Sequence, residues 1–130
     1  MAQRHTVTAI LPCSNLDASE AFYARLGFKP DAAYDNYRIL SDGKGGEIHL
    51  TAAVGGWLVR LHNPFGIYIY SEDVDELAAS LGDLLLGTPE EKSWGMYEFA
   101  LSDPDGTLVR VGWPSAMKTP DERCFHTPPT

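Results

Sequence analysis

Cysteine is scarce in this 130-residue chain: Cys13 and Cys124 are the only two, and they lack the paired spacing of a zinc site. Cations are scarce too, with 10 Lys and Arg against 18 Asp and Glu, a formal charge of −8 and a pI near 4.8. That average field repels nucleic acid and anionic membrane surfaces, and it excludes both as expected partners while favouring a cationic small molecule. No apolar run is long enough to span a bilayer, and no basic start precedes a hydrophobic region and cleavage site. The expected location is therefore the cytoplasm, where both thiols stay reduced. A glycine-rich phosphate loop and a legible Ser, His, Asp triad are missing as well, so no catalytic residue and no cofactor is assigned.

What is present is an ordinary soluble composition, 44% hydrophobic and 22% charged, on a chain of one-domain length (residues 1–130) that buries roughly two thirds of its unfolded surface. The most informative stretch is residues 94–113. Asp103, Pro104, Asp105 and Gly106 spell a type I turn closed by a glycine bulge, between a strand that ends at Asp103 and one that runs from Thr107 to Trp113. The register places Tyr97, Phe99 and Leu101 on one face with Val109, Val111 and Trp113. Glu98 and Ala100 share the other face with Leu108, Arg110 and Gly112. One face is core, and the other carries a carboxylate and a guanidinium toward water or a ligand cavity.

Periodicity extends the reading along the chain. A strand over His5–Leu11 precedes a helix over about Asp17–Leu26, capped by Asn15 or Asp17 and stopped by Gly27. Extended pieces follow near Phe28–Ala32, Tyr37–Leu40 and Glu47–Thr51, the last two joined by the turn Asp42–Gly46. The order then recurs: a strand over Phe65–Tyr70, a helix over about Asp73–Leu81 ended by Gly82, a weak strand near Leu84–Leu86, and the hairpin already described. This is a duplicated βαβββ unit, with module one at about residues 5–52 and module two at about 65–113. Residues 53–64 link them, and a loosely held, flexible tail covers 114–130.

The string Asn15-Leu16-Asp17-Ala18-Ser19-Glu20-Ala21-Phe22-Tyr23-Ala24-Arg25-Leu26-Gly27-Phe28, with Asp103-Pro104-Asp105-Gly106-Thr107-Leu108-Val109-Arg110, resembles the glyoxalase, bleomycin resistance protein and extradiol dioxygenase superfamily, also called vicinal oxygen chelate. Within it, the segment Trp94-Gly95-Met96-Tyr97-Glu98-Phe99-Ala100-Leu101-Ser102-Asp103-Pro104, and Asn63 shortly before the fifth strand, most resemble bleomycin resistance proteins. The resemblance covers about residues 5–113. It implies an α+β fold of two tandem βαβββ modules forming a curved mixed sheet around a cleft, helices on the outer face, and assembly as a homodimer. Relatives carry a proline in the first strand that helps the amino-terminal arm cross to a partner subunit; Ile10 stands at that position here.

Metal-dependent members of the superfamily take one ligand, His or Glu, from each of four strands around a divalent ion that acts as a Lewis acid. The matching positions here are Thr8, His49, Gly66 and Arg110, of which only His49 can ligate. Glycine offers no donor, and arginine puts a permanent cation where the ion would sit. The expectation is a protein that binds no metal.

Strand alternation lists the residues expected on the concave face: Glu47, His49 and Thr51 opposite dry Ile48 and Leu50, and Gly66, Tyr68 and Tyr70 opposite dry Phe65, Ile67 and Ile69. Trp94, Glu98 and Arg110 from the last hairpin join them. His49 reads first as a satisfied or half-exposed strand residue hydrogen-bonded to a neighbour, and second as a ligand contact. In bleomycin resistance proteins two aromatic side chains hold the drug's flat bithiazole, and the matching positions are Tyr37 and Trp94. The candidate ligand-binding residues are thus Tyr37, Glu47, His49, Asn63, Tyr68, Trp94, Glu98 and Arg110. Rings would stack on a flat ligand while carboxylates attract a cationic tail. Trp57 fits either a cleft rim or an interface. The resemblance implies capture of a small aromatic ligand such as a bleomycin-type antibiotic; the alternative is a glyoxalase-like enzyme of lyase, isomerase or dioxygenase type, with Glu47, His49 and Glu98 as acid and base.

Overall fold

A computed structural model of the chain describes residues 5–58 and 62–117. The elements run β1 (Ala9–Cys13), α1 (Leu16–Ala24), β2 (Lys29–Tyr34), β3 (Tyr37–Ser41), β4 (Glu47–Ala52), β5 (Gly66–Tyr70), α2 (Val74–Leu81), β6 (Glu90–Glu91), β7 (Met96–Ser102) and β8 (Leu108–Pro114). The strands form two four-stranded sheets of matching order, β1-β4-β3-β2 and β5-β8-β7-β6. This is the α+β duplication of βαβββ modules that the recurring pattern predicts.

In the first sheet β1 runs parallel to β4, and the β2-β3 and β3-β4 pairs are antiparallel. Helix α1 starts where Asn15 Oδ1 accepts the Ala18 N–H at 3.0 Å, and the chain leaves it through Gly27 at φ 98°. It turns Leu16, Phe22 and Tyr23 inward. With Leu11, Leu40, Ile48 and Leu50 these form the buried core of the first sheet. The alternation expected on β4 holds, since Ile48 and Leu50 are buried while Glu47 is exposed and His49 and Thr51 are half-buried.

In the second sheet the Leu108 N–H bonds to Phe65 O, and the Ser71 N–H to Gly112 O. Both partners advance in the same direction, so β5 and β8 are parallel, as β1 and β4 are. Tyr97, Phe99, Leu101, Val109 and Val111 are buried, which confirms the hairpin register; Trp113 is half-buried. At the turn, Asp103 Oδ1 accepts the N–H groups of Asp105 (2.8 Å) and Thr107 (2.9 Å), and Gly106 takes φ 88°.

Three expectations change. The first strand begins at Ala9 rather than His5, because pairing with β4 starts at Ala9 opposite Ile48. Leu84–Leu86 is no regular strand. A 3-10 turn over Gly82–Leu84 follows α2, Leu85 makes a single bridge to Leu101, and the sixth strand is Glu90–Glu91. The face of β5 expected to be dry is not: Phe65 is 40% exposed and Ile67 and Ile69 are half-buried. Glu98 lies on the face expected of it, lining a hollow, yet is 2% exposed.

Compactness divides the chain differently from the repeat. One unit takes the residues up to Ile67 together with Ser102–Leu108, and the other takes Tyr68–Leu101 with the residues from Val109. The hairpin tip thus belongs with the first unit. Tyr23, fully buried, donates to Asp103 Oδ2 at 2.8 Å, and the Ser14 N–H bonds to Asp105 Oδ2 at 3.1 Å. Burial first, and the neighbouring Asp103 carboxylate second, hold the Tyr23 phenol far above its ordinary range. The expected tail falls partly outside the described residues: Pro114 ends β8, Ser115–Met117 forms a 3-10 turn, and Cys124 lies beyond.

Candidate functional site

Seven of the eight predicted site residues fall into two clusters, one on each sheet. On the first, Tyr37 opens β3 and sits opposite Thr51, while Glu47 and His49 lie two apart on β4 and so share a face. Their side chains make a continuous relay. Tyr37 Oη lies 2.6 Å from His49 Nδ1, and His49 Nε2 lies 2.9 Å from Glu47 Oε1. The Tyr37 and His49 rings meet edge-on, centroids 5.3 Å apart at 77°. The reading of His49 as a strand residue bonded to its neighbours therefore holds.

On the second sheet the centre is Glu98 of β7. Its Oε1 accepts the Tyr68 hydroxyl at 3.0 Å and the Trp94 Nε1–H at 2.8 Å, and Arg110 Nη1 stands 3.7 Å from Oε2. A buried carboxylate survives when hydrogen bonds and a cation compensate it, and these groups do so here. Burial, followed by the bond to Glu98, raises the Tyr68 phenol above its ordinary range, so it remains a neutral donor. Gly112 makes this arrangement possible. A Cβ there would collide with Tyr68 Oη and lie 2.7 Å from Glu98 Cβ.

Trp94 is tethered by its edge and 56% exposed. The Arg110 guanidinium carbon and Lys92 Nζ lie 5.8 and 5.9 Å from its ring centroid, within cation–π range. A hollow of about 190 Å³ opens beside it, with Glu90, Lys92, Trp94, Glu98 and Arg110 among its lining residues. Lys92 also pairs with Glu90. Sequence reasoning missed Lys92; the turn that brings it beside Trp94, in which the Lys92 carbonyl accepts the Gly95 N–H and Gly95 takes φ 83°, is seen only in the structure.

Asn63, expected among the ligand contacts, has its carboxamide engaged elsewhere. It donates to Asp105 O and Thr107 Oγ1, both at 3.0 Å, and accepts from the Phe65 N–H at 2.8 Å. It braces the Asp103–Thr107 turn. Trp57 is 53% exposed in the segment after β4.

The side chains do not suit the superfamily's divalent ion. At the four matching positions, Thr8 precedes β1 and Gly66 has no donor. His49 has both ring nitrogens engaged, and the Arg110 cation is turned to Glu98. Among the described residues, no group of three or more His, Cys, Asp or Glu gathers as a metal site, and no helix is long and apolar enough to cross a membrane.

The sequence profile of the Glyoxalase/Bleomycin resistance protein/Dioxygenase superfamily matches residues 3–111. A bleomycin resistance protein of Klebsiella pneumoniae is 31% identical over 114 residues, spanning 80% of this chain and 88% of its own. Among solved structures, a bleomycin-binding protein complexed with bleomycin aligns with TM-score 0.73 at 28% identity, covering 85% of this chain and 98% of that one. A bleomycin resistance determinant encoded on the transposon Tn5 gives 0.74 at 29%, with the same coverage. A lactoylglutathione lyase from Agrobacterium tumefaciens, 20% identical with TM-score 0.68, covers 92% of this chain and 100% of its own; it shares the fold.

Proposed function

Because the chain belongs to the glyoxalase, bleomycin resistance protein and dioxygenase superfamily, we propose that it captures a flat aromatic small molecule, a bleomycin-type antibiotic, by reversible binding without turnover. The observation that carries this reading is Trp94. Its indole N–H is fixed on buried Glu98 while more than half of the residue stays open. A ring held this way is a stacking platform whose ordering cost is met before the ligand arrives. On the first sheet, Tyr37 is a separate aromatic ring, fixed through its hydroxyl on His49. The two relatives named for bleomycin resistance or binding at 28–31% identity support the choice of ligand.

Charge agrees with it. Arg110 alone would favour an anion, but Glu98 faces it at 3.7 Å, and the chain as a whole carries −8. A cationic tail then meets no uncompensated positive charge. The proposed working form is a cytoplasmic homodimer. The second reading, a glyoxalase-like enzyme acting on a small metabolite, is favoured by the Tyr37–His49–Glu47 relay, which has the parts of an acid–base chain.

Equilibrium dialysis of purified protein against bleomycin, followed by release in denaturant and mass measurement of the drug, tests the proposal. Saturable retention of a drug of unchanged mass is expected. A drug of altered mass would move the protein to the enzymes, and no retention would refute the choice of ligand.

A further inference from the structure

Glu47 as a carboxylate can only accept hydrogen bonds, so the His49 nitrogen that faces it at 2.9 Å must carry a proton. A neutral imidazole has one N–H, which leaves Nδ1 as an acceptor and obliges the Tyr37 hydroxyl, 2.6 Å away, to donate inward. A phenol whose proton is committed has only lone pairs left to offer. We propose that the Glu47–His49 pair sets the hydrogen-bonding polarity of Tyr37, making its oxygen an acceptor that selects a ligand bearing an N–H or O–H donor beside its flat ring.

The polarity inverts on protonation. With both nitrogens protonated, Nδ1–H donates to the Tyr37 oxygen, and the phenol proton turns from an inward bond to an outward donor. A ligand donor that was matched then faces another donor, and binding weakens as pH falls. Among the described residues of the first sheet, those paired with His49 on the flanking strands are the apolar Ile10 and Ile39. Arg38 is out of phase with His49 in the β3–β4 register and is held by Asp17 at 3.1 Å and Glu20 at 3.2 Å on α1. Glu47 and Tyr37 are the groups that bias it. His49 acts here through Tyr37, as a positioning residue.

The inference rests on Tyr37 being a ligand contact, so two readouts keep the failures apart. Two-bond ¹H–¹⁵N spectra of the histidine rings, with His49 assigned by its loss in His49→Phe, should show neutral His49 protonated at Nε2; protonation at Nδ1 overturns the proposal without any ligand. Calorimetry with metal-free bleomycin should then show affinity falling about tenfold as the pH is lowered from about 8 to about 5. The drug's own titrations are common to every variant. Tyr37→Phe and His49→Phe should therefore each flatten the difference, and the double variant should add nothing further. A tenfold fall that persists in both single variants overturns the proposal. If wild-type protein binds no bleomycin, the sequestration reading fails, and the tautomer alone decides the relay.

Discussion

Replacing Glu98 with alanine should destabilise the second sheet measurably, by an amount that follows from its partners. Two hydrogen bonds to a charged acceptor are lost, from Tyr68 and Trp94, each contributing about 1.5–3 kcal/mol. Rehydration returns part of this, because Trp94 and the Arg110 side chain are both substantially exposed and find water when released. Relief of the buried carboxylate's desolvation returns more. The remainder, dominated by the Tyr68 hydroxyl left beside the protein interior, is about 2–3 kcal/mol. Glu98→Gln keeps the volume and one acceptor oxygen and should lose only about 1 kcal/mol. Urea unfolding followed by circular dichroism, with an unchanged denaturant slope, measures both. A Glu98→Ala variant within about 0.5 kcal/mol of wild type, the range of an ordinary surface substitution, would refute the account of Glu98 as the hub of this cluster.

Gly112→Ala should displace Tyr68 from Glu98 because the new methyl occupies the path of the phenol; a loss of about 1–3 kcal/mol is expected in the same assay. The Cys13 thiol, pushed up by burial from 9.0 to about 11, should alkylate at pH 8 about 100-fold more slowly in folded than in urea-unfolded protein. Peptide mass mapping separates it from Cys124, and equal rates would contradict its burial. Tyr23 stays neutral in the fold while its unfolded form ionises near 10.0, so the stability it contributes is full below that pH and declines as pH rises beyond it. Tyr23→Phe should show a shallower alkaline decline than wild type.

The hairpin was the most legible part of the chain, since Asp103-Pro104-Asp105-Gly106 fixes a turn, and a turn fixes the face of every residue on both strands. The helices were readable from Asn15 and the closing glycines. The Leu84–Leu86 region was not: three leucines without alternation carry no period, and nothing in them marks the 3-10 turn over Gly82–Leu84. Residue types also hid their roles. Glu98 was placed on the correct face, but alternation says nothing of the Tyr68 and Trp94 groups that cover it. Asn63 looked like a contact because its position is shared with relatives; its carboxamide braces the turn instead. The Tyr37–His49–Glu47 relay spans a strand register that only the β3–β4 pairing supplies.

The most direct test of capture at the proposed site is calorimetric titration of wild-type and Trp94→Ala protein with bleomycin, alongside tryptophan fluorescence. Submicromolar saturable binding by wild type is predicted, weakened by about 1–3 kcal/mol in the variant, the loss of one stacked aromatic anchor. Binding of equal strength in both proteins would take Trp94 out of the site, and no binding in either would contradict antibiotic capture itself.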